Sequence, residues 1–153
     1  MKRTIAISLK IPDNTAYTAL VALRRLDVAV ARVERSEIWL FDDDGDLSAL
    51  TDRILTDETI FNPNLHRLAV LDSAEPRPGE VWIEPLEQCH PERSRRATLP
   101  AATAWRLFDA NGLPVEGAVL SAAIERLLRN PAVDRALTHG SSGIDGDISC
   151  ASE

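Results

Sequence analysis

Few side chains in this 153-residue chain have the type and spacing for chemistry. The densest carboxylate run is Asp42-Asp43-Asp44-Gly45-Asp46, and clustered hard oxygens of this kind can hold calcium. A calcium loop needs glycine at its sixth position, and counting from Asp42 that position is Leu47. The run therefore reads as a solvated hairpin or strand-to-helix turn. Cys89-His90, His66 and His139 lack the short repeated spacing of a zinc site and read as isolated surface or strand residues. No serine lies in a nucleophile-elbow setting. Gly140-Ser141-Ser142-Gly143 precedes no helix that would present its N-terminal dipole to a phosphate. No catalytic residue, cofactor site or metal ligand is assigned from the sequence.

The remaining reactive groups are arginines. Arg93, Arg95 and Arg96 form a local basic cluster, a solvated loop or a docking site for an acidic partner. Arg24, Arg25, Arg32 and Arg35 are the candidate contacts to a partner or an anion, the last two on a strand leading into a bend. One-sided charge on an antiparallel strand also serves simply as a solvent face.

Composition narrows the function classes. A net charge of −7 opposes general binding to nucleic acid or an anionic membrane, because neutralising phosphates needs a basic face. Two cysteines are too few for a disulfide framework, and no apolar run approaches the roughly 20 residues that span a bilayer. The first residues lead straight into an alternating strand without the apolar core of a signal peptide, so a cytoplasmic location is expected.

The elements that must position these groups follow from periodicity. Ile5, Ile7, Leu9 and Ile11 alternate with small or polar residues, the period of a strand with one buried face. After Pro12, Asp13 or Asn14 can cap a helix carrying Tyr17, Leu20, Val21 and Leu23. Val28 to Arg35 and Ile38 to Phe41 read as two strands with a bend at Arg35-Ser36-Glu37. A helix from Leu47 to Leu55, with Asp46 or Ser48 near its start, leads through Asn62-Pro63 to a strand from Leu65 to Leu71. Trp39, Trp82 and Trp105 each fall in a predicted strand, as core residues or as contact anchors on an uncovered face.

The chain also echoes itself. Leu40-Phe41-Asp42, a helix and Asn62-Pro63 are followed about 67 residues later by Leu107-Phe108-Asp109, a helix from Glu116 to Leu128 and Asn130-Pro131. The expected fold is α+β: a ferredoxin-like βαββαβ unit over residues 1–72, a stiff linker over 73–79, and a shortened ββαβ repeat over 80–139. The two antiparallel sheets would pack face to face as a pseudo-dimer. A polar insertion at 88–100 is expected to be mobile and 140–153 to be a disordered tail.

The first half resembles PurS, the small subunit of phosphoribosylformylglycinamidine synthase. The resemblance rests on the element order over Met1 to Leu71, on Ala19-Leu20 and Leu26-Asp27-Val28, on Val33 to Leu40 as a bent strand pair, and on Leu127-Leu128-Arg129-Asn130-Pro131-Ala132-Val133. Glu34-Arg35 stands where the family carries a Gly-Lys pair, and Thr56 to Phe61 is an insertion. The resemblance implies a non-catalytic scaffold that bridges synthetase and glutaminase subunits in purine biosynthesis, itself able to form a homo-oligomer. The alternative from another class is a ligand-sensing ferredoxin-like module that binds a small metabolite. A third, a small enzyme holding an anionic substrate with Arg32 and Arg35, lacks a general base.

Overall fold

The computed structural model describes residues 2–86 and 99–140. Among the described residues six antiparallel strands form one sheet, with three helices: β1 (Lys2–Leu9), α1 (Asn14–Arg25), β2 (Arg32–Asp42), α2 (Leu47–Thr56), β3 (His66–Leu71), β4 (Glu80–Pro85), β5 (Ala102–Phe108), α3 (Gly117–Ala123) and β6 (Asp134–Thr138). A π-helical turn, Ile124–Leu128, continues α3. The strand order is β3-β1-β2-β5-β4-β6. None of the described helices is long and apolar enough to cross a membrane.

Local chemistry starts and stops the helices. The Asp13 side chain accepts from the Thr15 and Ala16 N–H groups and so caps α1, whose buried Ala16, Ala19 and Leu23 lie on one stripe. Asp46 caps α2 in the same way, accepting from Ser48 N–H, and Leu50 and Ile54 are its buried stripe. The acidic run is thus a strand-to-helix turn, tightened by the Gly45 N–H donating to Asp43 at 2.7 Å.

Two strands were expected between Val28 and Phe41, and one is found. β2 runs unbroken through Arg35-Ser36-Glu37, which carries no glycine or proline to end it, and each of these residues is paired to β5. Val28 to Ala31 instead forms the passage from α1, made after Asp27 takes a left-handed φ of 60°. The first half therefore has three strands, not four. Nor do two sheets pack face to face: β2 pairs with β5 over Arg32↔Phe108 to Ile38↔Ala102, joining the halves edge to edge. In each half the central strand, β1 or β4, separates two strands joined by a helix, a split arrangement consistent with a ferredoxin-like fold.

Both faces of the sheet are apolar near the seam. On the helix side, Ile5, Ile7 and Trp39 pack with Leu50, Ile54 and Phe61. Leu23, Val28 and Val30 join Val81, Ile83, Leu107, Leu120 and Ile124, so α1 covers strands of the other half. On the opposite face Ala6, Ile38, Trp82, Ala102 and Ala104 are buried together. The connector from Leu71 to Glu80 must pass three strands to reach β4. Four interstrand steps, roughly 19 Å, combine with a shift along β2 from the level of Leu40 to that of Glu34, roughly 20 Å, into a path of about 28 Å out of a reach of about 30 Å, which leaves no route around the helices.

A buried carboxylate anchors the far end of this connector. Glu80, 1% exposed, accepts from the Trp82 indole at 2.9 Å, from the Arg77 N–H at 3.1 Å, and from the Arg77 guanidinium at 2.7 and 3.2 Å. Gly79 beside it has φ +73°, and a Cβ there would meet Pro114 at 2.7 Å and the Leu107 carbonyl oxygen at 2.9 Å. Glu80→Gln keeps the shape but removes the charge these donors face. It should lower the urea midpoint by the equivalent of about 1–3 kcal/mol at unchanged m-value. An unshifted midpoint would show that the anchor contributes nothing.

Candidate functional site

The residues best able to meet a ligand lie at the C-terminal end of β1, where β2 extends beyond it. Here a cavity of about 310 Å³ is lined by groups from four segments: Ser8 of β1, Asp13 and Ala16 at the start of α1, Glu34, Arg35 and Ser36 of β2, and Arg67 and Ala69 of β3. Arg77 of the connector adds a third guanidinium to the wall. Strand pairing places Arg67 beside Ser8 and Ala69 beside Ala6, so small side chains leave the space that the arginines enclose. A smaller lobe of about 50 Å³ shares Ser8, Asp13, Arg35 and Ser36 and reaches His66.

The ion pair between Asp13 and Arg35 fixes one wall. Arg35 donates from Nε at 2.9 Å and from Nη2 at 3.3 Å, while the same carboxylate caps α1 through Thr15 at 3.0 Å and Ala16 at 3.1 Å. One residue thus couples the helix start to the strand. Partial burial pushes the Asp13 carboxyl up, but the bonds from Arg35, Ala16 and Thr15 together outweigh it and hold the group below its ordinary value of 3.8.

Four arginines were expected to mark a contact site, and the structure does not bring them together. Arg24 donates to the Val30 carbonyl at 3.3 Å and the Ala31 carbonyl at 3.4 Å, holding the passage into β2. Arg25 is exposed in the last turn of α1. The Arg32 guanidinium lies 4.1 Å from the centre of the Phe108 ring, shared with Arg106 at 5.1 Å. Arg35 alone enters the cavity. Sequence reasoning missed Arg67 and Arg77. Alternation along β3 was the available signal for Arg67, since it puts that residue opposite Leu68, on the face of Ala69.

A second depression has another character. Ala19, Ala22, Trp105, Leu127 and Leu128 line an apolar groove of about 450 Å³ between α1 and the π-helical turn, with Asn14, Thr15 and Thr18 also in its lining. It offers contact area without an acid or a base. Among the described residues no three His, Cys, Asp or Glu side chains gather as metal ligands. Cys89, His90, Arg93, Arg95, Arg96 and the segment 141–153 lie outside the described residues. Comparison with family models, with curated proteins and with solved structures finds no match.

The Asp13 carboxylate, held below its ordinary range, makes stability depend on pH. A depressed carboxylate contributes stability that is present above 3.8 and is lost as pH falls through the folded-state value. Asp13→Asn keeps a capping side chain and removes the charge. The stability gap between wild type and this variant should hold from neutrality to about pH 5 and close in stronger acid. A gap independent of pH would show that the charge pair is idle.

Proposed function

We propose that this chain is a catalytically silent scaffold, an internally duplicated ferredoxin-like unit equivalent to a fused pair of PurS-like subunits. On this reading it bridges the synthetase and glutaminase components of a phosphoribosylformylglycinamidine synthase. The observation that carries it is the palindromic strand order, in which β3-β1-β2 meets β5-β4-β6.

Matched positions support the duplication. Ile5 stands between Trp39 and Val70, and Val81 stands between Trp105 and Thr138 at the same depth of its half. Thr4 and Glu80, the buried polar residues among those described, each directly precede these positions. The Asn62 carbonyl accepts from the Leu65 and His66 N–H groups just as the Asn130 carbonyl accepts from Val133 and Asp134. Each half then supplies the other's fourth strand, β5 for one and β2 for the other. A three-stranded half with this little core is a poor independent unit, so fusion stabilises the pair and sets one fixed spacing between two related outer surfaces. Exposed Tyr17 and Leu127 near the Trp105 groove are side chains of the kind that proteins bury on association.

Mixing the chain with separately purified synthetase and glutaminase subunits tests the reading. Size-exclusion chromatography at micromolar concentration should give a ternary complex. Glutamine-dependent synthesis should rise at least roughly tenfold while ammonia-dependent synthesis stays level, because a bridge shortens the path of ammonia without touching the chemistry. No complex and no change in glutamine use would remove this assignment.

A further inference from the structure

We propose that the cavity at the end of β1 is a binding site for a small ligand carrying an oxyanion, a phosphate monoester or a carboxylate, with Arg67 as its principal contact. The inference does not depend on the scaffold reading, and either can fail alone.

The cavity wall holds hydrogen-bond donors in excess of its own acceptors. Arg35 commits Nε and Nη2 to Asp13, and Arg77 commits the same two atoms to Glu80, so each guanidinium is held in place with Nη1 left over. Guanidinium groups fixed beforehand lose less freedom when an anion arrives. Arg67 has no ion pair or hydrogen bond among the described residues, and neither do the Ser8 and Ser36 hydroxyls. A planar or tetrahedral oxyanion accepts from such donors in pairs.

The charges of the wall favour the same kind of ligand. Asp13 balances Arg35, Glu80 balances Arg77, and Glu34, also in the wall, faces Arg32 at 3.6 Å. In the wall of the larger cavity what remains is the positive charge of Arg67, the Glu37 carboxylate lying in the wall of the smaller lobe, in a chain whose net charge is −7. One unbalanced guanidinium above a floor of alanine and serine suits a single anionic group better than a cation or an apolar ligand. The volume of about 310 Å³ is at the lower end of the range for small-molecule sites, roughly 300–1,000 Å³.

The test titrates the full chain with potassium phosphate and, separately, with potassium succinate, following the melting temperature against potassium chloride at equal ionic strength. At least one oxyanion should raise the midpoint by a few degrees, saturably and beyond the chloride control. Phosphate alone would identify a phosphate-bearing ligand, succinate alone a carboxylate. Arg67→Ala, which removes an exposed and unpartnered side chain, should keep its own melting temperature and weaken the response roughly tenfold or more. Ala69→Leu, which retains Arg67 but fills the floor, should do the same. A midpoint that moves only as with chloride, or responds equally in wild type and both variants, overturns the proposal.

Discussion

The pairing of β2 with β5 is the constraint on which the other features hang. It runs over seven residue pairs, from Arg32↔Phe108 to Ile38↔Ala102, and among the described residues it is the only strand pairing between the two halves of the sheet. Without it, β3-β1-β2 and β5-β4-β6 would each expose a long inner edge, on β2 and on β5, the arrangement that invites uncontrolled pairing with other chains. With it, Ile38 and Leu107 become fully buried on opposite faces, and α1, while still packed on β2, shares one core with Val81 and Ile83 of the other half. That exchange makes the halves mutually dependent through both sheet and helix.

The connector follows from the same geometry. Because the strands lie edge to edge, the chain leaving β3 has to cross the sheet to enter β4, and the face opposite the helices is the free one. Glu80 fastens the end of that path, and its partner Arg77 is carried into the cavity wall. The cavity is thus a by-product of topology: β1 stops, β2 continues, and the connector passes over the step. Stability and ligand chemistry share groups here, since the carboxylates that secure Arg35 and Arg77 also decide which guanidinium is left unbalanced.

How much of this the sequence disclosed depends on distance along the chain. Local signals were reliable. Asp13 and Asp46 cap the helices expected after Pro12 and the acidic run, and Asn62-Pro63 and Asn130-Pro131 open similar turns. Nonlocal pairing was not legible. The bend expected at Arg35-Ser36-Glu37 is straight strand because β5, distant in sequence, supplies partners for each residue. The echo of Leu-Phe-Asp misleads by one residue: Phe41 packs beneath α2, but in β5 Leu107 enters the helix-side core and Phe108 receives two guanidiniums on the other face. A shift of one position reverses the faces of a strand, so Trp39 and Trp105 are the better-matched pair. Arg35 was singled out from its type and position, whereas Arg67 and Arg77 join it only once three strands and a connector are in place.

Native-state amide hydrogen exchange tests most directly whether the halves are one mutually completed sheet. Amides of β2 and β5 should be the slowest to exchange, and protection in β1 and β4 should be lost in the same cooperative step, at the free energy of global unfolding. Release of β4, β5 and β6 at a distinctly lower free energy, while β1, β2 and β3 stay protected, would contradict it.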